Sequence, residues 1–240
     1  RHSTPTPVAL IVSFPSNPTA QVVDLNFYKE VVKIALKHKV YVLSDLAYAE
    51  IYYDKSPPPS ILQIPKAKNI AVEFTSMSKT YAMAGWRIGY AAGPENIIKA
   101  MSKIQGQATS CANSIGQKAS IEALLGDQSC VKEKKASNLQ RRDLIVRLLN
   151  DLPRVRCAIP NGAFYVFPDF SSYLNRKGNG KLLKDTFDIS EYILDSVQVV
   201  TVPGDGFGSS EHIRFSYATN RKIIQEGINR VKKALEMIEE

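Results

Sequence analysis

The sequence has few of the residues that build disulfide frameworks or metal centres. Its 240 residues include only three cysteines and three histidines. The cysteines (Cys111, Cys130 and Cys157) are not spaced as metal ligands, and their odd number argues against a disulfide framework. The histidines form neither a metal-binding pattern nor a catalytic triad. We therefore expect reduced thiols and a reducing compartment, the cytoplasm.

Long apolar runs and blocks of one charge are also lacking. No run reaches the length of a membrane span, so we expect no membrane partner. The net charge of +8 could indicate nucleic-acid binding. However, lysines and arginines are mixed with acidic residues, and the densest basic run, 132–142, is typical of an exposed helix face. We expect no nucleic-acid partner and only a general attraction of anionic substrates and cofactors.

An initiator methionine is missing as well. The chain begins with Arg1, and strand-like sequence follows at once. We expect that upstream sequence exists, which leaves targeting undecided. The composition is otherwise that of a globular protein, with 44% hydrophobic and 22% charged residues.

The pattern near the start predicts a strand, a helix and a second strand. Val8–Phe14 is a short apolar run that ends in a turn rich in proline. Residues 24–38 have helical spacing with Asp24 as a candidate N-cap, and Val40–Ser44 is again apolar. This order predicts a βαβ unit and a parallel sheet.

Polar residues follow both predicted strands. Asn17 comes after the first strand, and Asp45 and Tyr48 come after the second. Taken singly, Asn17 is a common turn residue and Asp45 a common N-cap. However, the carboxyl ends of parallel strands are also where such sheets bind ligands.

The stretch from Thr75 to Tyr90, TSMSKTYAMAGWRIGY, has Lys79 at its centre. Ser76 precedes this lysine by three residues and Arg87 follows it by eight. A lysine amine becomes nucleophilic when burial or nearby cations lower its pKa, and an arginine fork suits phosphate. An isolated Ser-x-Ser-Lys is more often a surface loop, so the rest of the chain must decide.

These residues together resemble the cofactor-lysine signature of the class I/II aminotransferases, which belong to fold type I of the pyridoxal-5′-phosphate (PLP) enzymes. The resemblance implies that Lys79 carries PLP and is catalytic, and that Ser76 and Arg87 bind its phosphate. It further implies that Asp45, as a buried carboxylate, keeps the pyridine nitrogen protonated. It also implies that the Asn17 amide and the Tyr48 hydroxyl donate hydrogen bonds to the phenolic oxygen of the cofactor.

The strand-like run 212–218, HIRFSYA, contains Arg214. By itself, Arg214 could be an edge-strand arginine paired with a surface acid. The resemblance implies instead that it binds the substrate α-carboxylate, together with Asn17. One branch of the family reads the substrate side chain with an arginine near position 113. This chain has Asn113 there, so that determinant is absent.

The resemblance also implies the fold and the domains. We expect an α/β fold, with a partial, mainly parallel large domain over residues 1–126 and a smaller C-terminal α+β domain over 127–240. The second domain should include a connector helix at 127–149. Within it, the sequence predicts a loop at 176–184 and a strand at 197–202.

Transamination between an aspartate- or alanine-type amino acid and a 2-oxo acid such as 2-oxoglutarate is the predicted function. The resemblance adds a homodimer in the full-length protein. The phosphate-binding turn and the ring-stacking residue of the family lie outside these residues, which leaves open whether this chain alone is active. Two alternatives stay open: another fold-type-I PLP enzyme, such as a C–S lyase, and a non-catalytic effector-binding module of a transcription regulator.

Overall fold

A computed structural model describes residues 7–239. The chain divides into two compact units within one long helix, between Lys135 and Ala136. Unit 1 runs to Ser16 and from Gln21 to Lys135, and unit 2 contains Asn17–Ala20 and the residues from Ala136 onward. The predicted domain boundary at 126/127 remains a prediction, and its outer limits at Arg1 and Glu240 lie outside the described residues.

Unit 1 is built on a four-stranded sheet in the order β1-β2-β3-β4. Its strands are β1 (Ala9–Ser13), β2 (Tyr41–Asp45), β3 (Ala71–Ser76) and β4 (Gly89–Ala92). The first three are parallel, and β4 pairs with β3 in the antiparallel direction. Helix α1 (Leu25–His38) connects β1 to β2, which confirms the predicted βαβ unit.

Helix α1 begins and ends where its sequence signals indicate. The Asp24 carboxylate accepts a hydrogen bond from the Phe27 amide at 2.8 Å, and Lys39 ends the helix in the left-handed conformation. The buried residues repeat at helical spacing, so that one face packs on the sheet. These residues are Tyr28, Val31, Val32 and Ala35.

Four further α-helices lie between the end of β3 and the division between the units, or extend across that division. The short α2 (Met77–Thr80) follows β3, and α3 (Glu95–Thr109) and α4 (Ser114–Leu125) follow β4. The long α5 (Ser129–Asn150) contains the division between the units.

Unit 2 contains two small antiparallel sheets and two further helices. One sheet has the order β5 (Tyr165–Val166), β9 (Ile213–Ser216), β8 (Val202–Pro203). The other is a hairpin of β6 (Lys177–Gly178) and β7 (Lys181–Leu182). Helices α6 (Thr186–Val197) and α7 (Arg221–Glu236) pack against each other through apolar faces, which include Ile193 and Ile228.

Two expectations for this part of the chain were wrong. Residues 176–184 form the β6–β7 hairpin, because Asn179 and Gly180 both adopt positive φ and close a two-residue turn. The predicted strand at 197–202 is reduced to Val202–Pro203, since α6 extends to Val197 and Gln198 ends it in the left-handed conformation. No helix within residues 7–239 is long and apolar enough to cross a membrane.

Candidate active site

The candidate site in unit 1 lies at one edge of the sheet. Asp45 and Ser76 are the last residues of the parallel strands β2 and β3. Since β4 is antiparallel, its first residue, Gly89, pairs with Ser76 at this same edge. The predicted cofactor residues of unit 1 therefore follow strand ends that meet at one place, as expected for a ligand site in an α/β sheet.

Asp45 and Tyr48 occupy the turn that follows β2. The Asp45 Oδ1 accepts a hydrogen bond from the Ala47 amide at 3.0 Å, which fixes the carboxylate at the strand end. We expected a buried carboxylate, but Asp45 is exposed within the described residues. Tyr48 is buried, with 7% of its surface exposed. Its ring centre lies 5.9 Å from Lys79 Nζ, so the structure brings these two predicted residues together.

Ser76 and Lys79 belong to the single helical turn α2. Ser76 is its N-cap, and its Oγ accepts a hydrogen bond from the Ser78 amide at 3.1 Å. The hydroxyl proton of Ser76 can still be donated to an anion. Lys79, one turn later, is partly buried.

Arg87 ends the turn that leads into β4. It adopts the left-handed conformation with φ of 57°, and its Nη1 donates to the Ala84 carbonyl at 2.7 Å. The next residue returns to the sheet edge, since the Met77 amide donates to the Ile88 carbonyl at 3.2 Å. This bond brings the backbone that follows Arg87 back beside Ser76.

A glycine makes this close approach possible. A Cβ atom on Gly89 would lie 2.9 Å from the Thr75 carbonyl oxygen, closer than real Cβ contacts. Thr75, Arg87 and Gly89 also line a groove of about 870 Å³ on the flank formed by β3, β4 and α3. The exposed Arg87 is therefore open to a ligand from this side.

Three residues that sequence reasoning did not assign to the site hold this stretch in place. Lys134 Nζ donates to the Thr80 carbonyl at 3.0 Å, and the Tyr81 hydroxyl donates to Gln128 Oε1 at 3.0 Å. Asn113 Nδ2 donates to the Trp86 carbonyl at 3.0 Å. Lys134 lies in the basic run that was interpreted as an exposed helix face, and no local sequence signal marks any of these contacts.

A buried carboxylate ties β3 to the loop before it. Glu73 accepts hydrogen bonds from Ser60 Oγ at 2.8 Å and from the Ile61 amide at 3.1 Å. Burial raises the pKa of Glu73 above its ordinary value, although these two hydrogen bonds lower the pKa in part. The sequence contained no indication of this contact, because the partners are 12 and 13 residues apart.

Unit 2 contains the other two predicted residues, Asn17 and Arg214. Arg214 is on β9, and its Nη1 donates to Asn17 Oδ1 at 2.6 Å. Its Nε is buried and has no hydrogen-bond partner among the described residues. A buried donor without an acceptor is costly, and a carboxylate ligand would satisfy it. The structure thus brings the two predicted substrate residues together.

Two aromatic rings flank the Arg214 guanidinium. Its central carbon lies 4.5 Å from the ring centre of Tyr165 and 5.2 Å from that of Phe207. Such stacking fixes the plane of an arginine fork. Tyr165 is a buried residue and Phe207 ends a glycine-containing turn, and no local sequence signal marks the contact of either ring with Arg214.

The donor set of unit 1 fits PLP. A lysine amine, a serine hydroxyl and an arginine fork match an aldehyde and a phosphate, and the carboxylate of Asp45 matches a protonated ring nitrogen. Unit 2 adds an arginine with an unsatisfied buried donor, which matches a substrate carboxylate. A metal centre has no comparable support, since residues 7–239 contain no group of three or more His, Cys, Asp or Glu side chains that could hold an ion.

Comparisons with known proteins agree with this geometry. The family model for aminotransferase class I and II matches residues 3–231. Aspartate aminotransferase of Rhizobium meliloti (strain 1021) is 39% identical over 233 residues, which are 95% of this chain and 57% of that protein. Glutamate-pyruvate aminotransferase AlaC of Escherichia coli (strain K12) is 37% identical over 234 residues, 97% of this chain and 55% of that protein.

A solved structure gives the same result for the fold. The crystal structure of the aspartate aminotransferase from Rhizobium meliloti aligns with a TM-score of 0.93 and 38% identity, covering 99% of this chain and 60% of that one. The chain therefore spans somewhat more than half the length of the relatives it matches. From the family match along nearly its whole length, together with the fold, the chain belongs to the class I and II aminotransferases, a family of PLP-dependent enzymes of fold type I.

Proposed function

We propose that this chain is part of a PLP-dependent aminotransferase that moves an amino group between an aspartate- or alanine-type L-amino acid and a 2-oxo acid such as 2-oxoglutarate. The observation that carries the proposal is the convergence of Ser76, Lys79 and Arg87 at the sheet edge that also contains Asp45. The substrate class follows that of the relatives, which are aspartate and glutamate-pyruvate aminotransferases.

In this proposal Lys79, Asp45 and Tyr48 have tasks in the chemistry of the cofactor. Lys79 would bind PLP covalently, and its amine, once freed, would act as the general base and acid that moves the substrate Cα proton. Bound PLP supplies the electron sink for that proton transfer. Asp45 keeps the pyridine nitrogen protonated, and Tyr48 donates to the phenolic oxygen.

The remaining tasks concern binding. Ser76 and Arg87 bind the phosphate. Arg214 binds the substrate α-carboxylate through its fork. Its bond to Asn17 orients the guanidinium, and the Asn17 amide N–H would donate to the phenolic oxygen of the cofactor. The single buried unsatisfied donor of Arg214 supports this assignment.

We further propose a homodimer in the cytoplasm. Helix α4 exposes large apolar side chains, with 71% of Ile115 and 82% of Leu125 accessible. Groups of apolar side chains this exposed often mark a surface that binds another protein chain. A second subunit could cover them. The cytoplasmic assignment is supported by the three cysteines, which are all unpaired.

The test is a visible absorption spectrum of the purified chain with PLP, followed by borohydride reduction and mass spectrometry. We expect an absorption band that L-aspartate or L-alanine bleaches and, after reduction, a single pyridoxyl group on the Lys79 peptide. Lys79→Ala should abolish both, whereas Lys99→Ala, which removes an exposed lysine of α3, should abolish neither. Modification spread over several lysines would contradict the assignment of Lys79. Release of pyruvate and ammonia, without conversion of PLP to its amine form, would point to a lyase.

A further inference from the structure

Asn113 makes two hydrogen bonds that connect a helix start to the turn containing Arg87. Its Oδ1 accepts from the Gly116 amide at 2.6 Å, as the N-cap of α4. Its Nδ2 donates to the Trp86 carbonyl at 3.0 Å, across 27 residues of sequence. An amide N–H must face an oxygen and a carbonyl must face an N–H, so these two partners fix the orientation of the side-chain amide.

The turn that Asn113 contacts is anchored at its two ends by the buried side chains of Met83 and Ile88, and its own hydrogen bonds are local. Within residues 83–87, the Trp86 amide donates to the Met83 carbonyl and the Arg87 side chain donates to the Ala84 carbonyl. Both bonds are internal to the turn. Arg87 itself is in the left-handed conformation, which is unfavourable for a residue with a side chain. The chain is held from outside on both sides of Arg87: the Ile88 carbonyl accepts from the Met77 amide, and the Trp86 carbonyl accepts from Asn113.

The packing around Asn113 is shaped for this contact. A Cβ atom on Gly116 would lie 2.9 Å from both side-chain amide atoms of Asn113 and 2.9 Å from Ile88 Cδ1. The glycine therefore leaves the space in which the Asn113 amide lies. A glycine in the first turn of a helix lowers helix stability, so its place here is explained by the contact and not by helix formation.

We infer that Asn113 is a positioning residue that holds the Trp86–Arg87 turn, so that the Arg87 fork is directed at the cofactor phosphate. This inference rests on the proposed role of Arg87 as a phosphate ligand. Asn113 touches neither phosphate nor substrate in this assignment and acts only through the Trp86 carbonyl. Asn113 thus has a task within its own subunit, although the side-chain-reading arginine of related enzymes is absent at this position.

The deciding variant is Asn113→Asp. An aspartate is as good an N-cap as asparagine, so α4 keeps its first hydrogen bond. A carboxylate cannot donate, so the bond to the Trp86 carbonyl is lost. Asn220→Asp is the matched control, because Asn220 caps α7 in the same way through the Ile223 amide at 2.9 Å. A second variant, Gly116→Ala, should displace the Asn113 amide while favouring the helix.

Two measurements separate this inference from the proposed function. Trp86 is the only tryptophan, so acrylamide quenching of its fluorescence reports on the turn without any ligand. The second measurement is the ratio of the affinities for PLP and for pyridoxal, which lacks the phosphate. We expect Asn113→Asp to increase quenching and to lower this ratio roughly fivefold, the size of one hydrogen bond. Gly116→Ala should act in the same direction, and Asn220→Asp should change neither quantity.

The combined variants exclude an indirect effect. In an Arg87→Ala background, Asn113→Asp should cause no further loss of the PLP preference, because the residue it positions is gone. Unchanged quenching together with an unchanged ratio in Asn113→Asp would overturn the inference. A wild-type ratio near one would instead refute Arg87 as a phosphate ligand, and with it the positioning role, whatever the quenching shows.

Discussion

The Lys79 stretch of unit 1 and the Arg214 strand of unit 2 fix their functional side chains by different means. Residues 77–87 form short turns that lie outside the sheet, and they are held by side chains from α5, from the segment before it and from the start of α4. Arg214 lies within β9, between two paired strands, and its guanidinium is flanked by aromatic rings. Single side-chain hydrogen bonds from residues far away in the sequence thus fix the turns, whereas the strand is fixed by its backbone pairing.

This difference predicts where mutations act. Loss of one distant contact should loosen the turns while leaving the fold intact. In β9, the backbone position should be insensitive to side-chain changes, and ligand binding should depend on the Arg214 guanidinium and on the side chains that orient it.

The largest effect expected from this comparison is that of Arg214→Lys. Lysine keeps the charge but loses the planar fork and its Nε donor, so the affinity for a 2-oxo acid should fall roughly ten- to a hundredfold. Isothermal titration calorimetry with 2-oxoglutarate in the PLP-loaded protein measures the change. Arg221→Lys, an exposed arginine at the start of α7, is the matched control and should bind normally. Wild-type affinity in Arg214→Lys would contradict the assigned role of the fork.

A smaller effect is expected from Lys134→Met, which keeps the aliphatic stem and removes the donor to the Thr80 carbonyl. The partly exposed bond should contribute about 1 kcal/mol. Amide hydrogen exchange at Tyr81, which donates to the Met77 carbonyl, should therefore become roughly fivefold faster while β3 keeps its protection. Lys132→Met, two residues earlier on α5 and exposed, should leave exchange unchanged. Equal acceleration in β3 would show that the whole unit has been destabilised.

The sequence predicted the strand ends well and the supports of the turns poorly. Asp45, Ser76 and Lys79 follow apolar runs whose period and length identify strands, so their position at one sheet edge could be inferred. The contacts of Asn113, Gln128 and Lys134 depend on how helices pack many residues away, and no local pattern encodes that packing. The same limit applies to Tyr165, a buried residue whose contact with the Arg214 guanidinium no local pattern indicates.

The smallest expected effect is the change in unfolding free energy on replacing Glu73. It tests whether β3 is held in place by strand pairing alone. Burial raises the pKa of Glu73 in the folded state above its unfolded value, so the folded protein binds this proton more tightly. The resulting stability is complete below the unfolded pKa and is lost as the pH rises through the folded pKa. Glu73→Gln cannot titrate, so the difference in unfolding free energy, wild type minus variant, should decrease with rising pH over that interval.

Urea unfolding at a series of pH values, followed by a probe in unit 1 such as Trp86 fluorescence, measures this difference. Glu133→Gln, an exposed position on α5 in the same unit, serves as the control for the loss of one carboxylate. A difference that increases with pH for Glu73→Gln would mean that the hydrogen bonds from Ser60 and Ile61 outweigh burial. In that case the strand that leads to Lys79 is held by an ionised carboxylate, and strand pairing is not its only anchor.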